Sequence, residues 1–197
     1  MGSANLSEVA YLPGTVTRSV KLLVAGHFGA GKTTFVGSVS EIRPLRTEEP
    51  ITEASVGVDD LAGLPRKTST TVAMDFGRRT FGGVALYLFG TPGQQRFLPM
   101  WDELARGAVG ALVLVDTRRL EHSDEILSAV EKRGLPYTVA VNEFDGARRY
   151  PAEEVRQALD LAPSTPLTVC DARDQASSAK ALIVLVEHLT SRPETLA

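Results

Sequence analysis

The chain has 197 residues, of which 43% are hydrophobic and 23% charged, and its formal net charge is −3. This length and composition predict one globular domain with a substantial core. The weak negative charge gives no electrostatic reason to expect nucleic acid or an anionic membrane as a partner, and no apolar run approaches the ~20 residues that span a bilayer. The single cysteine, Cys170, excludes an internal disulfide. It suits a reducing compartment, so we expect a cytoplasmic protein with an inert, buried thiol.

The first third of the chain predicts a strand, a helix and a long connection. Residues 1–18 have mixed composition and are expected to form a flexible lead-in to a domain over 19–197. The run "SVKLLVAG" (19–26) is apolar and ends in glycine, which indicates a buried strand, and "GKTTFVGSVS" is predicted to continue as a helix. Residues 41–71 show no periodicity and contain three prolines. Irregular connections of this length are usually functional.

The remaining elements alternate between strands and helices. Residues 71–77 and 83–90 predict a hairpin closed by the turn "RRTFG", and a helix is expected after Pro99. The later strands are predicted at 110–116, 137–142 and 167–172, and the later helices at 123–134, 151–161 and 177–189. This alternation predicts an α/β fold with a six-stranded, mostly parallel sheet, one antiparallel edge strand and helices on both faces.

Two local features of these helices are specific enough to test. Ser123 precedes an apolar-periodic segment and is therefore predicted to be a helix N-cap. The C-terminal helix is predicted to bury one stripe, composed of Ala179, Leu182, Ile183, Val186 and Leu189.

The segment "GHFGAGKT", Gly26 to Thr33, matches G-x-x-x-x-G-K-[ST] between a predicted strand and a predicted helix. Glycines in such a loop allow backbone N–H groups to surround an anion at a helix N-terminus. Lys32 is predicted to bridge the β- and γ-phosphates, and the Thr33 hydroxyl to bind Mg²⁺. The predicted nucleotide-contacting residues of this segment are Gly26, Phe28, Gly29, Ala30, Gly31, Lys32, Thr33 and Thr34.

The second motif, "FGTPGQQ" (89–95), follows the predicted hairpin. The Gly93 N–H is expected to reach the terminal phosphate, and Gln94 to orient the attacking water. Gly90 stands where most P-loop proteins have a metal-anchoring aspartate. The nearest substitutes in the sequence are Thr91, Asp75 and Asp116, and they remain alternatives. We expect Mg²⁺ to be held by Thr33, Thr71 and the nucleotide's own phosphates.

A third pair of motifs predicts a base-reading site. "VNEFD" (141–145) resembles N-K-x-D, with Asn142 as a strut and Asp145 accepting two hydrogen bonds from guanine, although Glu143 replaces the lysine. By itself, Asp145 is equally well explained as a helix N-cap. "CDARD" (170–174) ends the next strand, where the Ala172 N–H is expected to contact the base oxygen and the Arg173 side chain to lie over the ring.

The order and spacing of these four motifs resemble the Ras-like small GTPases over residues 19–191. The passage "TVAMDF" resembles the superfamily's "TIGVDF", which implies that Thr71 binds the metal and senses the γ-phosphate, with Thr68, Ser69 and Thr70 as neighbouring alternatives. The non-acidic residue before "TPGQ" and the passage "RGAVGALVLVDTRR" resemble bacterial MglA-like and conservon-type GTP-binding proteins.

This resemblance implies a P-loop NTPase G domain that binds GTP or GDP with Mg²⁺. It also implies GTP hydrolysis in bacterial signalling, with Gln94, Lys32 and Thr71 as the catalytic residues. The implied partners are a Roadblock/LC7-type protein and a sensor-kinase complex. Residues 41–72 and 90–101 would be ordered by GTP and released by hydrolysis.

Three departures from the family pattern favour the alternative of a nucleotide-binding scaffold with little turnover: Gly90, Glu143 and Phe28, whose ring occupies a loop position that is usually small. The Phe28 ring predicts slow unaided hydrolysis. Arg66, Arg78 and Arg96 are candidates for an internal arginine that would assist, against the alternative of solvated surface residues.

Overall fold

The computed structural model describes residues 12–45, 74–93 and 100–192, and only the backbone at 49–50 and 69–70. The strands are β1 (Arg18–Ala25), β2 (Glu49–Pro50), β3 (Ser69–Thr70), β4 (Asp75–Phe81), β5 (Val84–Gly90), β6 (Ala108–Val115), β7 (Tyr137–Asn142) and β8 (Leu167–Cys170). The helices are α1 (Lys32–Val39), α2 (Trp101–Ala105), α3 (Asp124–Glu131), α4 (Ala152–Ala158) and α5 (Gln175–Thr190).

Six of the strands form one sheet in the order β4-β5-β1-β6-β7-β8. Every neighbouring pair is parallel except β4 and β5, which are antiparallel, so the predicted sheet with its antiparallel edge is confirmed. The short strands β2 and β3 pair separately and antiparallel, within the stretch predicted to be irregular. A two-residue strand is too short to produce a recognisable alternation, which is why the sequence did not indicate it.

The sheet is covered on both faces, as its apolar strands predict. On one face, Leu112 and Leu114 of β6 pack in a cluster with α1 and α5 residues such as Phe35 and Leu182. On the other face, the alternate β6 residue Val113 packs in a cluster with α2, α3 and α4 residues, which include Trp101, Ile126 and Val155. The central strand β1 lies between β5 and β6. Its carboxyl end is where an open α/β sheet binds ligands.

The hairpin differs from its prediction because β4 continues through the segment predicted to be a turn. The turn consists of Gly82 and Gly83 alone, with φ angles of 50° and 84°, and Phe81 pairs with Val84. Two residues with positive φ are what a tight two-residue hairpin turn requires. The tight turn sets the register that places Asp75 opposite Gly90.

Two helix predictions were also wrong in detail. Ser123 does occupy the predicted N-cap position directly before α3, but it ends a 3-10 turn (Leu120–Ser123), has helical backbone angles and makes no capping hydrogen bond with its side chain. Helix α5 exposes 40% of Ile183, and its buried face is instead completed by Ala181 and Leu185, at helical spacing from Leu182 and Leu189.

No helix in the described ranges is both long and apolar enough to cross a bilayer. Cys170 at the end of β8 is buried, and burial raises the pKa of its thiol to about 12. An uncharged thiol without solvent access is inert, as predicted.

Candidate nucleotide-binding site

The loop between β1 and α1 has the geometry of an anion-binding nest. Gly31 precedes α1 with a φ of 101°, which a residue with a side chain rarely adopts. At Gly26, a Cβ atom would lie 2.6 Å from the Leu114 carbonyl oxygen. Both glycines are therefore required by the backbone, and together they direct the N-terminal N–H groups of α1 into the loop.

Lys32 spans this loop. Its Nζ donates hydrogen bonds to the carbonyl oxygens of Gly26, at 2.8 Å, and His27, at 2.7 Å. Gly93 approaches from the opposite wall, so closely that a Cβ on it would lie 2.5 Å from Lys32 Nζ. The cavity here is about 160 Å³ and is lined by most of the predicted phosphate-contacting residues: Phe28, Gly29, Gly31, Lys32, Thr33, Thr34 and Gly93.

The His27 ring stabilises the loop from its buried side. Its Nδ1 lies 2.7 Å from the Phe28 carbonyl oxygen and therefore carries the proton of that hydrogen bond. The pKa of His27 is lowered to about 4, chiefly by burial and also by Lys32 and His122, while the Phe28 hydrogen bond and Asp116 oppose the shift. The ring is consequently neutral at physiological pH.

A carboxylate does reach the cavity, although β5 ends in Gly90 and not in the usual aspartate: it comes from the neighbouring strand β4. Thr33 Oγ1 donates a hydrogen bond of 2.6 Å to Asp75 Oδ2, and the Asp75 side chain is buried. Asp75 lies on β4 directly opposite Gly90, where an added Cβ would be 3.0 Å from the Asp75 Cβ. The glycine at position 90 thus leaves the space that the Asp75 carboxylate occupies.

The three candidate substitutes for the missing aspartate are now distinguished. Asp75 and Thr91 line the cavity, whereas Asp116 does not. The Asp116 carboxylate instead accepts three hydrogen bonds from the Arg118 guanidinium. Thr91 Oγ1 is buried and has no hydrogen-bond partner in the described part of the chain. Because the Thr33 hydroxyl donates its hydrogen bond to Asp75, the lone pairs of its oxygen are available to a hard cation such as Mg²⁺, which prefers oxygen ligands.

No cluster of three or more His, Cys, Asp or Glu side chains suitable for a metal occurs over the residues that the structure describes. The Thr33 hydroxyl, water and the phosphates of a nucleotide are oxygen ligands that this cavity offers to a metal. Mg²⁺ commonly binds in this way, with few protein ligands.

Asn142 connects the phosphate loop to the base-reading loops. This buried side chain donates from Nδ2 to the Ala30 carbonyl oxygen at 3.0 Å, and its Oδ1 accepts from the Ala172 N–H at 3.0 Å. Asn142 is therefore the strut that the sequence predicts. The Ala172 N–H, which was expected to contact the base oxygen, donates to Asn142 in the structure, and its contact with a base stays a prediction.

A second cavity, of about 240 Å³, is lined by residues that include Asn142, Asp145 and Arg173. The Asp145 side chain is 85% exposed and caps no helix, since α4 starts seven residues later after Pro151. The predicted position of Arg173 over a base is not what the structure shows. Its guanidinium pairs with Asp145 and Asp171, and its hydrogen bonds lower the pKa of both carboxyl groups.

Four of the predicted residues, Gln94, Thr71, Arg66 and Arg96, lie outside the described residues. The third arginine candidate, Arg78, is buried on β4, and its Nε donates to Glu41 at 2.8 Å. It does not line the phosphate cavity. The sequence did not indicate that the His27 ring bonds to the loop or that Arg173 pairs with Asp145.

The fold and the glycine-rich loop define a P-loop nucleotide-binding protein with the architecture of a G domain. Residues 24–192 match the model of a family described as "Conserved hypothetical ATP binding protein", and the chain belongs to this family. A relative, the uncharacterized protein MJ1339 of Methanocaldococcus jannaschii, is 29% identical over 128 residues, which are 64% of this chain and 71% of the relative.

Solved structures confirm the architecture. The G domain of the T. maritima FeoB iron transporter superposes with a TM-score of 0.57 at 18% identity, covering 88% of this chain and 98% of that one. The Arl6 BBS3 small GTPase from Trypanosoma brucei, with bound nucleotide analogue GppNp, has a TM-score of 0.64 at 18% identity, with the same coverage. The superpositions establish the fold, and at 18% identity they show nothing narrower. The resemblance to MglA-like and conservon-type proteins stays a prediction.

Proposed function

We propose that this protein is a guanine-nucleotide-binding switch that hydrolyses GTP to GDP and phosphate, slowly and with the help of a partner. The observation that carries the proposal is the double hydrogen bond of Asn142. It joins the loop that surrounds phosphate to the loops that carry Asp145 and Arg173, so one ligand with a phosphate end and a purine end would contact both cavities.

The phosphate cavity supports the hydrolytic part of the proposal. Water attacks the γ-phosphate in line with the leaving group, Gln94 orients that water, and Lys32 neutralises the charge that develops on the phosphate oxygens. Gly93 lies close enough to Lys32 for its N–H to contact the same phosphate. Thr71 acts as the γ-phosphate sensor.

Thr33 and Asp75 are the residues that would hold Mg²⁺. Thr33 would contribute its hydroxyl oxygen directly. Asp75, which accepts the hydrogen bond of the Thr33 hydroxyl, would orient that oxygen toward the cation. When bound, Mg²⁺ would supply charge neutralisation to the phosphates of the nucleotide. The position of Asp75 beside Thr33 supports the proposal that Asp75 takes the place of the aspartate missing at Gly90.

Asp145 provides the preference for guanine. Its two carboxylate oxygens match the N1–H and exocyclic N2–H donors of guanine, whereas adenine presents an acceptor at N1 and leaves the carboxylate unsatisfied. Sites built to satisfy hydrogen bonds reject a mismatched ligand strongly. Since the Ala172 N–H is engaged elsewhere, base selection rests on Asp145.

Exchange of the base tests this proposal. The Asp145→Asn variant should lose affinity for GTP by at least about tenfold and should gain affinity for xanthosine triphosphate, because the amide can donate to the xanthine 2-oxygen. Isothermal titration in magnesium buffer measures both. Glu143→Gln is the matched control, since Glu143 is on the same loop and pairs with Arg149. Wild-type protein that binds neither GDP nor GTP would overturn the proposal.

ATP is the second candidate ligand, because the description of the family names it. Wild-type protein that is stabilised more by ATP than by GTP in a thermal shift assay would favour it.

A scaffold with little turnover is the other alternative, since Phe28 lines the phosphate cavity where a catalytic glutamine and a partner's arginine need space. Phosphate release with and without a Roadblock/LC7-type partner separates switch from scaffold.

A further inference from the structure

We propose that Arg173 is an internal substitute for guanine, a side chain that occupies the base-reading face of Asp145 and must be displaced by an incoming nucleotide. This inference rests on the proposed reading of guanine by Asp145. It assigns Arg173 control over how fast the nucleotide binds.

The geometry of the Arg173–Asp145 pair reproduces a base contact. Arg173 Nη1 donates to Asp145 Oδ2 at 2.7 Å, and Nη2 donates to Oδ1 at 3.0 Å. Two adjacent N–H donors on a planar, delocalised group therefore face both oxygens of one carboxylate. The N1–H and N2–H of guanine form the same pattern of two parallel donors. One edge of a carboxylate cannot accept both forks at once, so the contacts are mutually exclusive.

Asp171 holds Arg173 in this position from the other side. Its Oδ1 accepts hydrogen bonds from the Arg173 backbone N–H and from Nε, both at 2.9 Å, and its Oδ2 accepts from Nη2 at 2.8 Å. Asp171 is itself positioned because its backbone N–H donates to Ser177 Oγ at 3.0 Å. The guanidinium is thus oriented toward Asp145 before any ligand arrives, which reduces the entropy lost when the pair forms.

The strength of the pair suits a displaceable group. Side-chain exposure is 55% for Arg173 and 85% for Asp145, and ion pairs this exposed are weak and are screened by salt. Closing the Asp145 face for most of the time would lower the apparent association rate by a modest factor, about two- to fivefold. The rate of dissociation of bound nucleotide would stay unchanged, because Arg173 no longer contacts Asp145 in the bound state.

Stopped-flow binding of ribose-labelled fluorescent GDP to the nucleotide-free full chain, with Mg²⁺ present, tests the proposal. Arg173→Gln should raise the association rate constant about two- to fivefold at about 20 mM salt, and the difference should shrink at about 0.5 M salt as screening opens the wild-type pair. Arg173→Lys should fall in between, because an ammonium group cannot present a planar fork.

The control variant is Arg149→Gln. Arg149 lines the same cavity and loses the same charge on substitution, but its guanidinium pairs with Glu143 at 2.8 Å and not with Asp145. An association rate that rises equally in both variants would reveal a general charge effect and overturn the proposal. An unchanged or lower rate in Arg173→Gln would also overturn it, and a faster dissociation without faster association would place Arg173 on the bound base.

The design separates this inference from the proposed function. If wild-type protein binds no guanine nucleotide, the proposed function fails and the inference fails with it. If wild-type protein binds GDP selectively and Arg173→Gln does not associate faster, the inference alone fails. Thermal unfolding of each variant, followed by circular dichroism, verifies that the comparison is made between folded proteins.

Discussion

The two halves of the candidate site are built in different ways. The phosphate half is formed by buried and partly buried groups whose hydrogen bonds are already made: Lys32 to the loop carbonyls, Thr33 to Asp75, and His27 to Phe28. The base half is formed by exposed charges, of which Asp145, Asp171 and Arg173 are the most closely associated. A preformed, buried site contributes affinity, whereas exposed charged groups can rearrange and select among ligands.

This difference suggests a division of roles between the halves. Any nucleoside triphosphate presents the same phosphates, so the phosphate half has no information with which to distinguish bases. In the proposed function the base half provides that distinction, but it is too exposed to contribute much binding energy by itself. Asn142 is the connection between the two, and the predictions below break the connection first and then each property of the phosphate half.

Replacing Asn142 by alanine should have the largest effect, because it separates the halves. The Ala30 carbonyl and the Ala172 N–H lose their partner in a buried position, and each unsatisfied group costs about 1–3 kcal/mol. The free energy of unfolding should fall by roughly 4 kcal/mol in urea titrations, with weaker binding of both GDP and ADP.

The control for this experiment is Thr138→Val, on the same strand. The Thr138 hydroxyl is buried and has no hydrogen-bond partner among the residues described, so its removal should cost little. An Asn142→Ala protein that keeps wild-type affinity for GDP would show that the halves are not coupled through this side chain.

The burial of His27 predicts that the free energy of unfolding falls as the pH is lowered from about 6.5 to about 4. The pKa is about 4 in the folded protein against 6.5 for the free side chain, so between these values the unfolded chain binds the additional proton. The stabilisation is present above about pH 6.5 and is lost as the pH falls to 4. It amounts to roughly 3 kcal/mol.

Urea unfolding of wild type and His27→Gln at pH 7 and pH 4.5 measures this contribution, since the glutamine cannot titrate. The wild type should lose more stability than the variant over that range. His188→Gln, on α5, is the comparison, because His188 is only partly buried. Equal losses in wild type and His27→Gln would contradict a neutral, buried His27.

Asp75→Asn should have the smallest and most specific effect. The variant keeps the volume but loses the charge beside Thr33, so the Mg²⁺ concentration needed for half-maximal GTP binding should rise about 10- to 100-fold. Binding in EDTA and the preference for GTP over ATP should be unchanged. Asp116→Asn, which removes a buried carboxylate outside the cavity, should leave the Mg²⁺ dependence as it is.

The sequence predicted the phosphate half well, because its motif leaves few alternatives. The motif combines a strand, two glycines at fixed spacing and a lysine at the start of a helix. This combination is typical of a phosphate-binding loop. The substitute for the aspartate missing at Gly90 stayed undetermined among Thr91, Asp75 and Asp116, since the hairpin turn was misplaced. A turn at Gly82-Gly83 would have paired Asp75 with Gly90 from the sequence alone.

The base half was predicted less completely for a physical reason. The sequence identified Asn142, Asp145, Ala172 and Arg173, but the partner that each polar group chooses depends on tertiary distances. The Ala172 N–H and the Arg173 guanidinium both have protein partners in the structure that compete with the expected ligand. Motifs specify residue types, and such competition is invisible in them.

The two-residue hairpin turn has a consequence far from its own position. Gly82-Gly83 lies seven strand residues from Asp75, which is roughly 20 Å along β4. Because strand side chains alternate between faces, a turn that shifted the β4–β5 register by one residue would direct the Asp75 side chain away from Thr33. The length of a surface loop at one end of the sheet thus determines the chemistry available at the other.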